Sequence, residues 1–312
     1  ATALGATTIN IAATRNLQTD VGYNDTRDAM KLTAAGVVLT PGGAATLLGL
    51  DIDNQTGAQL NVDTANITLG SVMSTTAGAN RLAVDIADAR ILTLDGAIRA
   101  AGGGADPTLV TDNYTALGDI TINDATGQLV INSKANAAIT LNGNIIVGGN
   151  DEGLLDVNTA GATTTLKGNV GATGVLIKKV ALGASSRTVF EGDVYATDVE
   201  LANDAMSKVT FGTAGADSIV QTGANGVKIA QGNLIAAGNV TFKNKLDLTV
   251  DTSLFTANDG QTVTVEGNLD GHAASKTNIG SAAAGTAKLV IDSTGADRVI
   301  KGFVDGSATT DD

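Results

Sequence analysis

The side chains in this sequence that could do chemistry are mostly carboxylates. Asp85 and Asp88 lie in VDIADAR, Asp151 and Glu152 in GGNDEGLLD, and Asp193 and Asp198 in EGDVYATD. Two such groups facing one another can divide acid and base work on a glycosidic bond, or hold a calcium ion. Each pair sits in or beside residues that favour turns. Sugar-cleaving grooves also tend to offer aromatic platforms, and aromatic residues make up only 3% of the chain. Solvated turn carboxylates are therefore the preferred reading, with a carbohydrate-active enzyme as a lesser alternative.

GGNDEGLLD also approaches the calcium-binding nonapeptide, but Asp151 stands where the fourth-position glycine belongs, and no tandem copy follows. The single histidine, His272, has Ser275 and Asp270 nearby in sequence, the residue types of a Ser–His–Asp triad. Nothing around them resembles a nucleophile elbow, so His272 reads as a turn residue. The glycine-rich AAGGGADPT (100–108) lacks the lysine of a phosphate loop. No catalytic, cofactor-binding or metal-ligating residue is assigned, and no cofactor is expected.

The elements that carry these residues follow from a repeated phrase. TLNGNIIVGG (140–149) returns as TLKGNVGATG (165–174), VFEGDVYATD (189–198), IAQGNLIAAG (229–238) and VTVEGNLDGH (263–272). With its glycine as marker, the phrase falls at Gly70, Gly96, Gly118, Gly143, Gly168 and Gly192, at spacings of 22 to 26 residues. Gly212, Gly232 and Gly267 continue the series less regularly. Between markers run short alternating segments such as DITIND, QLVINS and NIIVGG, which favour strands over helices. A unit of 20–26 residues with two or three strands cannot bury its own apolar face, but stacked units can make one continuous core. The expected fold is an all-β, single-chain parallel β-solenoid. Recurrent Gly, Asn and Asp are read as corner residues that tolerate left-handed backbone angles. An immunoglobulin-like array would need units of about 100 residues and an aromatic core marker. An antiparallel barrel would show longer strands and less even turns.

Composition fits that picture. There are 39 Gly, 2 Pro, no Cys and no Trp, with 43% hydrophobic and 16% charged residues. The charged share lies below the roughly 25% of average soluble domains. The core must be built from Val, Ile, Leu and Ala. Nineteen basic against 32 acidic residues give a net charge of −13, which argues against nucleic acid as a partner. No run approaches the roughly 18 apolar residues of a membrane-spanning helix, so membrane insertion of this chain is not expected. The opening ATALGATTIN lacks the features of a signal peptide and is compatible with a mature terminus after cleavage.

Three divisions are expected. Residues 1–45 carry a charged middle and a helical turn or two around Thr26–Leu32, and read as an N-terminal cap or assembly segment. Residues 46–306 form the solenoid, and 307–312 a polar tail. Five Asn-x-Thr sequons stand at Asn24, Asn54, Asn66, Asn113 and Asn239, several expected by chance in so threonine-rich a chain. An ice-binding threonine array is disfavoured because TVT at 262–264 is isolated.

The GN(I/V/L) phrases, the Asn/Thr/Ala-rich strands, and the pair GTAGADSIV (212–220) and STGADRVIKG (293–302) resemble the passenger regions of bacterial autotransporters. The likeness is nearest to the rickettsial surface-antigen and outer-membrane-protein-B group, and covers most of residues 60–306. It is a likeness of repeat and texture rather than of a diagnostic motif. It implies a surface adhesin or coat-forming protein on a β-helical rod, without the membrane barrel that such proteins carry at their C-terminus.

The function expected on these grounds is a non-enzymatic extracellular structural protein, self-associating through faces or ends into a surface coat or filament. The alternative is a monomeric adhesin that binds a host-cell receptor or matrix.

Overall fold

A computed structural model describes residues 29–47, 50–74, 78–95, 114, 116–133, 138–159 and 161–248. Shorter stretches follow and precede these: 8–11, 15–17, 254–258, 260–267, 269–271, 276–277, 288–291 and 300–301. Every described segment of regular structure is a strand, and every strand pairing is parallel. The chain winds as a β-solenoid with three faces. The tail (307–312), the glycine-rich 100–108 segment, Gly96, His272 and Ser275 lie outside the described residues.

One face stacks Val38–Pro41, Gln59–Val62, Leu82–Ile86, Leu117–Ile122 and Ile145–Val147 in order. The next stacks Ala45–Leu47, Ile67–Leu69, Ile91–Leu94, Gln128–Ser133, Glu152–Thr159 and Ile177–Leu182. The third, from Ile139–Leu141 onward, stacks Thr163–Leu166, Arg187–Phe190 and the last residues of Val194–Phe211. The sequence alternates as a half-buried strand should: Gln59–Val62 and Ile91–Leu94 both read intermediate-buried-intermediate-buried. Like residues therefore meet in columns. Ile120 pairs with Ile145, which bridges to Val170 and then Val194. Leu92, Leu129, Leu155, Val180 and Val199 form another inward column. Farther along, Phe190 stacks on Phe211 at 5.4 Å, and Phe211 meets Phe242 edge-on at 5.7 Å.

Two segments run unbroken around the corners, Val194–Phe211 and Asp217–Ala236. They join faces that are separate elsewhere into one continuous hydrogen-bonded surface. This closure arises from winding in a single sense rather than from an antiparallel barrel.

The helical turn expected around Thr26–Leu32 is not formed over its described part. Ala29–Leu32 is a strand, paired with Thr8–Ile11 on one side and Leu50–Asp51 on the other. The alternation in AMKL suits a pleat, and tertiary pairing overrides the helix propensity of Ala, Met and Lys. The ladder also continues across position 45, since Val38–Pro41 pairs with Arg15–Leu17 and Ala45–Leu47 with Ile67–Leu69.

Candidate functional site

The repeated glycine marks a close approach of backbones. A Cβ on Gly143 would stand 2.1 Å from the Gly118 carbonyl carbon, one on Gly168 2.3 Å from the Gly143 oxygen, and one on Gly192 2.6 Å from the Gly168 oxygen. None of these four adopts a positive φ. Their reason is stacking room at one corner, not the left-handed geometry expected from the sequence. Left-handed angles occur elsewhere, at Gly36, Gly57, Gly153 and at Asp53, Asn54 and Asp151 among others. The column ends at Gly192. Gly212 stands at the same corner one coil on, but one position early and with a positive φ, beside Gly238. Gly232 packs over the Ser207 carbonyl at a different corner and is not a repeat of it.

The polar residue after each glycine explains the rest of the phrase. Asp119 Oδ1 accepts the Asn144 amide at 2.7 Å, Asn144 Oδ1 the Asn169 amide at 2.9 Å, and Asn169 Oδ1 the Asp193 amide at 2.9 Å. Asp193 Oδ1 then accepts the Ile219 amide at 2.8 Å, while its Oδ2 accepts from the Tyr195 hydroxyl at 3.1 Å. A side-chain acceptor thus caps one backbone donor per coil where the strands turn. The described sequon asparagines do the same work. Asn54 Oδ1 accepts from Asn80, Asn66 Oδ1 from Ile91, and Asn239 Oδ1 from Thr262.

The candidate carboxylates do not converge on a substrate. Asp85 accepts from the Asn123 amide and Asp88 from the Thr126 hydroxyl, each one coil on. Asp151 is exposed at a left-handed turn, where its amide donates to the Leu176 carbonyl at 2.8 Å. Glu152 folds its carboxylate back over Gly148 and Gly149, leaving Oε2 buried without a hydrogen-bond partner. Asp193 belongs to the corner ladder, and Asp198 pairs in register with Lys179. No three metal-ligating side chains gather among the described residues. The Asp270 side chain falls outside them.

Other charges form a ladder on the second face. Lys179 Nζ stands 2.6 Å and Lys228 Nζ 3.4 Å from the Glu200 carboxylate. The hydrogen bond from Lys179 holds the Glu200 carboxyl below its ordinary range, against some desolvation.

A feature that sequence reasoning missed lies on the third face. The step from Asn203 to Lys208 on one coil faces only the step from Gln231 to Asn233 on the next. The surplus bulges outward. Asp204 pins it, accepting from the Ser185 hydroxyl at 2.6 Å and the Met206 amide at 2.9 Å; these bonds hold its carboxyl below the ordinary range. Met206 is left 68% exposed beside an open depression lined by Thr163, Arg187, Lys208 and Asn233. The lone signal in sequence is ANDAMSK, a polar interruption in otherwise alternating strand. Also unforeseen is a threonine row, Thr46–Thr68–Thr93, which breaks at Val130.

No known protein-family description matches the chain, and no solved structure matches it. Two curated relatives do. Outer membrane protein A of Rickettsia rickettsii is 33% identical over 248 residues, covering 71% of this chain and 10% of the relative. Outer membrane protein A of Rickettsia conorii is 38% identical over 124 residues, 39% of this chain and 6% of the relative. The chain spans about a tenth or less of the length of these relatives.

Proposed function

From its homology to a segment of rickettsial outer membrane protein A, the likeness already read in its repeats, we propose that this chain is a stretch of rigid, non-enzymatic scaffold on a bacterial surface. In this reading it associates with copies of itself into a coat or filament. The names of both relatives support the surface location. The observation that carries the scaffold role is the corner itself, where a glycine column and an Asp/Asn ladder tie each coil to the next. Such a winding offers faces of regularly spaced side chains along which copies can lie side by side. The non-enzymatic part is supported by the carboxylates, several of which serve as acceptors for neighbouring coils.

Negative-stain microscopy of the purified chain over a concentration series, with and without calcium, tests self-assembly. Ordered filaments, tubes or sheets are the expected outcome, and dispersed rods at every concentration would overturn it. Release of reducing ends from a panel of polysaccharides would overturn the non-enzymatic reading.

A second reading, a monomeric adhesin that binds a host receptor or matrix, is favoured by one observation. The depression beside Met206 exposes apolar surface and cations in a chain of net charge −13.

A further inference from the structure

Resting on that second reading, we infer that the depression at Arg187, Lys208 and Met206 is a docking site for an extended sulfated polysaccharide. Arg187 and Lys208 are directly paired in register on adjacent coils, so their side chains leave the sheet about one strand spacing, ~4.8 Å, apart. Like charges placed so are unfavourable. The second face of the same coils avoids the problem by putting Glu200 between Lys179 and Lys228. On the third face no such answer is given. The strand segments Thr163–Leu166, Arg187–Phe190, 208–211 and 233–236 contain no Asp or Glu. Glu191 follows the second of them, and the nearest bulge carboxylate, Asp204, is engaged by Ser185 and by the Met206 amide. No ion pair of Arg187 or Lys208 forms among the described residues. An anion from outside would complete the pair.

The shape and neighbours choose the kind of anion. Thr163, Arg187, Lys208 and Asn233 form one column that runs along the rod, with a hydroxyl at one end and an amide at the other. That order suits a long chain bearing both hydroxyls and negative groups. Strand Arg187–Phe190 is paired on both sides, so an acidic peptide cannot add to it as a further strand. No aromatic lines the depression, so a neutral sugar would lack a stacking platform and the negative groups must supply the affinity. Met206 and the bulge that carries it wall one side.

The test is binding of the full chain to immobilised heparin, chosen as the sulfated probe, with polyglutamate as a second surface. Arg187→Glu with Lys208→Glu is the loss variant, and Arg187→Thr with Lys208→Thr, matching Thr163 in the same column, removes the charges without reversal. Lys178→Glu with Lys243→Glu makes the same change in net charge on other faces. Unfolding curves verify that each variant folds. The expected result is salt-sensitive heparin binding that both site variants weaken about tenfold or more, while the remote pair leaves it nearly unchanged. Equal loss from the remote pair would reduce the effect to net charge and overturn the site. Binding to polyglutamate in preference to heparin would assign the surface to an acidic protein instead. Adhesion to host cells without heparin binding would leave the adhesin reading standing and sink this one.

Discussion

Asn144 receives the backbone amide of Asn169 on its Oδ1 at 2.9 Å, one coil later, and Asn169 repeats the service for Asp193 at the same distance. A single side chain is both a corner residue of its own coil and the cap of the next. Replacing Asn169 by Ala removes the acceptor for the Asp193 amide. Because the corner is exposed, water takes part of the load, and the expected loss is about 1 kcal/mol in urea unfolding. Asn144→Ala with Asn169→Ala should cost less than the sum of the two singles, because in a cooperative ladder each single already loses the coupling between the two bonds.

Glycine at the corner is a matter of space, and this separates two superficially similar changes. Gly143→Ala drives a methyl to within 2.1 Å of the Gly118 carbonyl carbon and should destabilise by about 2 kcal/mol or more. Gly43 has no neighbour within 4 Å of an added Cβ and no positive φ. Gly43→Ala should be neutral or stabilise by up to about 1 kcal/mol, by restricting the unfolded chain. Thermal unfolding of the two variants side by side decides it.

Much of this architecture is legible in the sequence, because period-two alternation and a coil-length repeat both leave marks on residue type. The strands at Gln59–Val62, Ile91–Leu94 and Thr163–Leu166 carry those marks plainly. What could not be read is register. AMKL at 29–32 looks helical until its partners at Thr8–Ile11 and Leu50–Asp51 are known. Gly232 carries the same Gly-Asn phrase as Gly168, yet sits against Ser207 at a bend rather than in the corner column. The cationic depression is hidden for the same reason: Arg187 and Lys208 become neighbours only when coils are stacked with the bulge between Asn203 and Lys208 included.

Glu200 makes the second face sensitive to acid. Its carboxyl is held below the ordinary value of 4.5 chiefly by the Lys179 hydrogen bond. A lowered folded pKa means the contribution is fully present above about the unfolded value and is lost as pH falls through the folded one. Unfolding midpoints measured from pH 6 downward should therefore fall less steeply in Glu200→Gln than in the parent chain. At neutral pH the same variant should lose only a few tenths of a kcal/mol, because both partners are well exposed to solvent.

Tyr114 predicts the alkaline counterpart. Its hydroxyl is buried and donates to the Leu69 carbonyl at 2.7 Å, and burial, with the charge of Asp95 adding to it, raises its pKa well above 10.0. A raised folded pKa gives stability that is complete below the unfolded value and is lost as pH climbs through the folded one. Tyr114→Phe should cost about 1 kcal/mol at pH 7, since Leu69 keeps the Asp95 amide as a second donor. The variant should then lose less than the parent between pH 9 and 11, as followed by circular dichroism.

The corner ladder also governs how quickly the molecule can form. Parallel sheets are ordinarily slow to assemble, because partners far apart in sequence must find one another. Here the ladder partners are separated by one winding, 25 residues between Asn144 and Asn169 in a chain of 312. Relative contact order is then about 0.08, a value typical of helical bundles. Each completed winding presents a template for the next, so a protein whose described elements are all strands acquires the local folding route of a helical one.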